Sequence, residues 1–289
     1  MYLSVDDTEL YFDIEGAQLR VENNRLCTRP TIVVLHGGPG FDQAYLRPDL
    51  GGLADLAQLL FVDLRGQGRS RPVAVATCTL ERLADDVVAL CAILGLERPT
   101  LLGHSAGGFV ALHAALLRPD AIGGLVLCNT TATLAGEPDP DAPTLLGRAG
   151  PEAAAVAARL FGGDMSAETT AAFQRLVAPH YAAPGHEDVP ARLFPLSPLN
   201  AEIARHFFAE LAPSYDLRPR LGEITVPALV VAGEHDWVCP PSAARALAAG
   251  LPRATLCVVP DAGHFTFAEQ PGRFRAALAE LLTGARPVE

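Results

Sequence analysis

One serine stands between glycines in Gly103-His104-Ser105-Ala106-Gly107, where the apolar run Leu101-Leu102 gives way to a helical pattern. That placement suits a nucleophile. A hydroxyl held on a sharp strand-to-helix turn needs neighbours without side chains two positions to either side, because the turning backbone leaves no room there. The following helix aims unpaired N–H groups and the positive end of its dipole at negative charge developing beside the serine. A serine attacks poorly until a base removes its proton, so the pattern demands a histidine and an orienting acid. Asp236 in VVAGEHD and His264 in VVPDAGHF each follow an apolar run, in the chain order Ser, Asp, His that such an elbow uses.

Rivals for these roles are less well placed. His104 adjoins the serine but should point away along the turn and pack. His113 falls inside the following helix, His180, His186 and His206 in a later Ala-rich region, and His235 immediately before the acid. Glu234 and Asp261 are offset from the strand ends, and Asn129, which ends the preceding apolar run, is neutral. Acyl transfer also needs donors for an oxyanion. The stretch His36-Gly37-Gly38-Pro39-Gly40 follows the run TIVVL. Its glycines allow close backbone approach, and Pro39 stiffens it without supplying an N–H. Gly38 and Ala106 are the expected backbone donors, and Gly37, Phe41, His104 and Trp237 are candidates for the substrate-facing surface. His180, His186, Glu187 and Asp188 fit no zinc spacing, so no metal is expected.

These residues need a scaffold, and the chain supplies one. Short β-rich runs begin at Thr31, Leu59, Pro99, Gly124, Pro227 and Ala254, with helical patterns between most of them, which predicts βαβ units and a mostly parallel sheet. Strands apolar nearly throughout require helices on both faces. Thr79 reads as the N-cap of a helix that buries Leu80, Leu83, Val87, Leu90, Cys91 and Leu94 and stops at Gly95. A last helix carries Phe274, Leu278, Leu281 and Leu282 and ends at Gly284. The N-terminal alternation of Leu10, Phe12 and Ile14 reads as a strand, not a signal peptide. From Thr130 to Ile224 the rhythm breaks into an Ala-rich region with helical stretches PEAAAVAARLF and AETTAAFQRLV, flanked by AGEPDPDAP and LRPRLGEITVP. The expected division is an α/β core of residues 1–130 and 225–289, with an inserted helical cap of residues 131–224.

Composition narrows the chemistry further. The 289 residues are 49% hydrophobic and carry a formal net charge of -11, which would repel a phosphate backbone, so nucleic acid is not an expected partner. All 22 basic residues are arginine, and the absence of lysine removes Schiff-base chemistry and a P-loop. No G-x-G-x-x-G follows a strand, and no cofactor is expected. Six scattered cysteines without a C-x-x-C pair suit a reducing compartment, and no apolar run is long enough to cross a bilayer. A cytoplasmic protein without a membrane partner is expected.

The combination of HGGPG, VDLRGQGRS (residues 62–70), GHSAGG, GEHDWVCP and DAGHF resembles the α/β-hydrolase fold superfamily through nearly the whole chain outside the cap. HGGPG followed by D-x-R-G-x-G-x-S is similar to the proline iminopeptidase branch. The resemblance implies a cofactor-free cytoplasmic serine hydrolase that releases an N-terminal residue from small peptides, with Asp63, Arg65, Gly66 and Gly68 forming a structural turn. It would also call for a cap acid to hold the substrate ammonium, for which Glu187, Asp188, Glu202 and Glu210 are available. The elbow itself, with His104 and Ala106, is the version common among esterases and lactonases, and Phe161, Phe173, Phe194, Phe207 and Phe208 would give an apolar cap. A carboxylesterase or lactonase acting on small apolar acyl substrates is therefore the alternative, and a non-catalytic small-molecule receptor a minor one. An epoxide hydrolase or dehalogenase would need aspartate in place of Ser105. The partner is a small molecule or short peptide, and oligomeric state is not readable.

Overall fold

The computed structural model describes residues 1–22, 24–135 and 142–284. Among them ten strands form: β1 (Tyr2–Val5), β2 (Thr8–Glu15), β3 (Leu19–Glu22), β4 (Arg25–Thr28), β5 (Thr31–Leu35), β6 (Gln58–Asp63), β7 (Thr100–His104), β8 (Gly124–Cys128), β9 (Ala228–Gly233) and β10 (Ala254–Val259). Eight make one sheet in the order β1-β2-β6-β5-β7-β8-β9-β10, parallel from β6 to β10, with β1 and β2 added antiparallel at one edge. β3 and β4 pair as a separate hairpin. The six apolar runs of the sequence are β5 to β10.

Period-two alternation sends each of the strands β5 to β9 into two cores, as full burial on both faces requires. In β5, Val33 and Leu35 pack in one layer with Leu83, Val87 and Leu90 of the helix Leu80–Ile93, while Ile32 and Val34 pack in the other with Phe274 and Leu278 of the helix Pro271–Thr283. The first of these helices opens with the Thr79 side chain accepting the Arg82 N–H at 3.2 Å, and the last closes on Gly284 with φ +65°. β2 departs from its pattern in one place. Leu10 and Phe12 are buried but Ile14 is 41% exposed, because β1 pairs only as far as Tyr11 and leaves that end of β2 without an outer neighbour.

The strand order places the site. From β5 the chain moves to β6 on one side, and from β7 it moves to β8 on the other. The helix Ala106–Leu117, which makes the second connection, packs in the first core, whereas Leu46 and Leu50 of the β5–β6 connection pack in the second. The segments leaving β5 and β7 therefore part to opposite faces, and the crevice at their carboxyl ends is where open α/β sheets bind ligands. HGGPG leaves one of these ends and the Ser105 elbow the other.

Between β8 and β9 lie the helices Leu145–Phe161, Ala167–Leu176, Asp188–Leu193 and Ala201–His206. PEAAAVAARLF closes the first of them, after an interruption at Gly150 (φ +80°) and Pro151, and AETTAAFQRL forms the second. Most of the flank AGEPDPDAP, residues 136–141, lies outside the described residues. Among the described residues no helix is long and apolar enough to cross a membrane.

Candidate active site

The elbow is built as its glycines require. Ser105 adopts φ +53°, ψ -123°, a conformation that costs an L-residue about 1–3 kcal/mol and that the surroundings must impose. A Cβ on Gly103 would strike the Gly107 carbonyl, and one on Gly107 would strike the Leu35 carbonyl, so both positions exclude any side chain. The helix begins at Ala106, directly after the serine. On the β5 side, a Cβ on Gly37 would come within 2.9 Å of the Ser105 Cβ.

The HGGPG loop is pinned at His36, Gly37 and Gly40. His36 is fully buried; its Nε2 accepts the Leu64 N–H (3.1 Å), which leaves Nδ1–H to donate to the Gly37 carbonyl (2.9 Å). The Gly37 N–H donates to the Tyr45 hydroxyl (2.8 Å), and the Gly40 N–H to Gln67 Oε1 (2.7 Å). Among the described residues the Gly38 and Ala106 N–H groups have no acceptor, and both residues line the cavity that holds Ser105. Of the two glycines, it is thus Gly38 whose amide is left for an oxyanion.

Asp236 and His264 meet at the ends of neighbouring strands β9 and β10. Asp236 Oδ2 lies 2.9 Å from His264 Nδ1, and both side chains are buried, at 0% and 3% exposure. Asp236 Oδ1 accepts the N–H groups of Val238 (2.9 Å) and Cys239 (3.0 Å), and Oδ2 also accepts from Asn129 Nδ2 (2.9 Å). This carboxylate is satisfied by donors alone, as an ionised acid must be. With Nδ1–H on the carboxylate, His264 Nε2 is left as the basic nitrogen. Ser105 and His264 line the same cavity of about 490 Å³, together with Gly38 and Ala106. His264 is buried, its imidazole enclosed by His104, Tyr181 and Phe265, with ring centres 4.9, 5.4 and 5.8 Å away.

His104 does more than pack. Its Nε2–H donates to the His264 carbonyl (2.8 Å), so Nδ1 accepts the Tyr45 hydroxyl (2.6 Å). Burial, reinforced by the neighbouring His264, drives its pKa well below the ordinary imidazole value and keeps it neutral. A chain of bonds therefore runs from Gly37 through Tyr45 and His104 to the backbone of His264. Tyr45, Asn129 and Glu269, none of them among the candidates from sequence, all hold the surroundings of His264: Tyr45 through His104, Asn129 through Asp236, and Glu269 by accepting the N–H groups of Gly263 and Phe265. Asn129 carried the best available signal, as a strand-end residue in the slot of an alternative acid.

The remaining candidates divide. Phe41 and His104 line the cavity. Gly37 and Trp237 do not: Gly37 is turned into its bond with Tyr45, and Trp237 lies behind Tyr181 (ring centres 5.3 Å) with its indole N–H donating to the His180 carbonyl at 2.8 Å. Adjacency to Asp236 misled here, because consecutive residues after a strand leave in different directions. The five phenylalanines of the helical region all line the cavity. Among the described residues no Asp, Glu or Arg does, and Glu187, Asp188, Glu202 and Glu210 are all exposed to solvent. Among the described residues no three His, Cys, Asp or Glu side chains are grouped to hold a metal ion.

Comparison with known proteins agrees with this architecture. The model of the alpha/beta hydrolase fold family matches residues 30–271. A protein of Caulobacter vibrioides named "Putative carbamate hydrolase RutD" is 31% identical over 281 residues, covering 94% of this chain and 97% of that protein. The crystal structure of an enol-lactonase from Burkholderia xenovorans LB400 superposes with a TM-score of 0.74 at 27% identity, covering 98% of this chain and all of that one. A proline iminopeptidase of Mycobacterium smegmatis also superposes with a TM-score of 0.74, over 98% of this chain and 97% of its own, but at 23% identity it speaks for the fold alone. A parallel sheet with its switch point beneath a serine elbow, together with a family match across most of the chain, gives one conclusion: the protein belongs to the α/β-hydrolase fold family.

Proposed function

We propose that the protein is a serine hydrolase of carboxylic esters or lactones with uncharged, apolar acyl groups. One observation carries the reading. The cavity that joins Ser105, His264, Gly38 and Ala106 is otherwise walled mostly by apolar and aromatic side chains, with Thr170, Gln174 and Ser197 as neutral polar members, and among the described residues it presents no carboxylate or guanidinium. A cationic or anionic substrate entering it would lose its hydration without a counter-charge, at a cost of several kcal/mol. An aminopeptidase needs an anion beside the substrate's ammonium, and the candidates Glu187, Asp188, Glu202 and Glu210 are in solvent, which favours the ester and lactone reading over the iminopeptidase one. Similarity to an enol-lactonase fits the ester and lactone class. The helical region 131–224 acts as the cap that supplies the apolar wall, and six thiols without disulfides suit the cytoplasm.

In this reading, His264, oriented by Asp236, takes the proton of Ser105 as its oxygen attacks the carbonyl. Gly38 and Ala106 donate to the resulting oxyanion, and His264 hands the proton to the leaving alcohol. Water activated by the same imidazole then releases the acid. A panel of nitrophenyl esters, acyl lactones, a carbamate and aminoacyl arylamides including prolyl tests the substrate class through kcat/KM. Esters or lactones with neutral apolar acyl groups should lead. A preference for substrates with a free α-amine would refute the proposal.

A further inference from the structure

The loop that presents His264 is held by an unusual device. Glu269 is 5% exposed, yet its carboxylate faces three backbone amides: Oε2 accepts the N–H of Ala183 (2.7 Å) and of Gly263 (2.8 Å), and Oε1 accepts that of Phe265 (2.9 Å). Among the described residues no cation forms an ion pair with it. Every close partner is a donor, so the group is bound as the carboxylate, since a protonated acid would need an acceptor for its O–H. Burial raises its pKa and the three amides oppose that rise. A buried charge kept this way is costly and calls for a reason.

Accounting for the backbone around His264 supplies the reason. The Gly263 carbonyl accepts Asn129 Nδ2 (2.9 Å), the His264 N–H donates to the Tyr181 carbonyl (2.7 Å), and the His264 carbonyl accepts His104 Nε2 (2.8 Å). The two polar groups that remain are the N–H groups of Gly263 and Phe265, and both go to Glu269. The same carboxylate also takes the N–H of Ala183, which lies in the helical region between β8 and β9. Gly263 itself has no space for a side chain, because a Cβ there would meet the Tyr181 carbonyl and, at 2.8 Å, the Ala183 nitrogen.

We propose that Glu269 is a positioning residue for the base: one ionised side chain gathers the peptides on both sides of His264 and ties them to the helical cap, so that the imidazole meets Ser105 in a fixed orientation. This rests on the reading of His264 as the base. Glu269 touches no reacting atom, so its loss should act on the rate of chemistry and not on substrate binding.

Glu269→Gln keeps the shape but replaces one acceptor edge with an NH₂ that must face an N–H. With kcat measured per folded molecule, as judged by circular dichroism, we expect kcat to fall about 10²-fold, the loss associated with displacing a reacting group by ~1 Å. KM should stay within about twofold, because this loss falls on chemistry and leaves binding alone. Glu269→Asp, which keeps the charge on a shorter arm, should recover part of the loss. Wild-type kcat in Glu269→Gln, or a rise in KM with kcat unchanged, would overturn the proposal. Should Glu269→Gln not fold, Glu269→Asp carries the test alone, and a wild-type kcat there has the same meaning. His264→Ala run in parallel separates the two ideas. If it keeps its turnover, the assignment of the base has failed. If it is inactive while Glu269→Gln is normal, only the positioning role has.

Discussion

The floor and the wall of the cavity are built on opposite principles. At the floor, where β5, β7, β9 and β10 end, the polar atoms around Asp236, His264 and Gly37 are committed to fixed partners, and the amides of Gly38 and Ala106 are the ones left open. The wall, drawn largely from the helices between β8 and β9, is mostly apolar and aromatic, and among the described residues it carries no Asp, Glu or Arg into the cavity. A hydrogen-bonded floor fixes the position of reacting groups to a fraction of an ångström, and an apolar wall rejects charge while tolerating shape. On the proposed reading, chemistry and selectivity are thus assigned to different parts of the chain, and substitutions in the two regions should fail in different ways.

The largest effect belongs to the floor. Asp236→Asn would present an amide where His264 Nδ1–H needs an acceptor, favouring the wrong tautomer. kcat should fall about 10⁴-fold with KM little changed, as steady-state kinetics on the preferred ester would show. A large KM effect would mean that the floor also binds substrate. In the wall, Phe161→Ala removes a ring packed against Phe173, Phe208 and Trp237, with centres 6.1, 5.4 and 6.4 Å away. It should cost about 1–3 kcal/mol in kcat/KM for large apolar acyl groups and little for acetyl esters. Equal losses on both substrates would erase the distinction between floor and wall.

How much of this could be read from the sequence follows the range of the interactions. The strands, the cap of the helix at Thr79 and the elbow at Ser105 are encoded by residues a few positions apart, and their patterns were legible. Asp236 and His264 were legible because strand ends in a parallel sheet converge by topology. Tyr45 and Asn129 were not, since their roles depend on partners 59 and 107 residues away, at His104 and Asp236, and Glu269 was not, since it joins the nearby amides of Gly263 and Phe265 to Ala183, 86 residues away. No local period marks such pairs. The cavity wall was half legible. Its phenylalanines were named, but whether they face a ligand or one another is decided by how short helices pack, and the same packing turned Trp237 away.

The smallest effect concerns stability. His36, His104 and His113 are each held neutral by burial, with pKa values below the ordinary 6.5. In the unfolded chain each takes up a proton as pH falls through about 6.5, while in the folded protein each does so only at lower pH, so stability is full above pH 6.5 and declines as pH falls from there toward the folded-state pKa values. Each such imidazole steepens the decline by up to about 1.4 kcal/mol per pH unit. Thermal unfolding between pH 8 and pH 5 should show Tm falling with acidity, and His104→Gln should flatten the slope even if it lowers Tm at pH 8. A slope identical in wild type and variant would mean that His104 is protonated in the fold.

The central claim is that Ser105 is activated by His264. Reaction with a fluorophosphonate followed by peptide mass spectrometry reads it directly. The wild type should carry one adduct, on Ser105, and His264→Ala should label orders of magnitude more slowly. No adduct, an adduct on another residue, or undiminished labelling in His264→Ala would contradict the account.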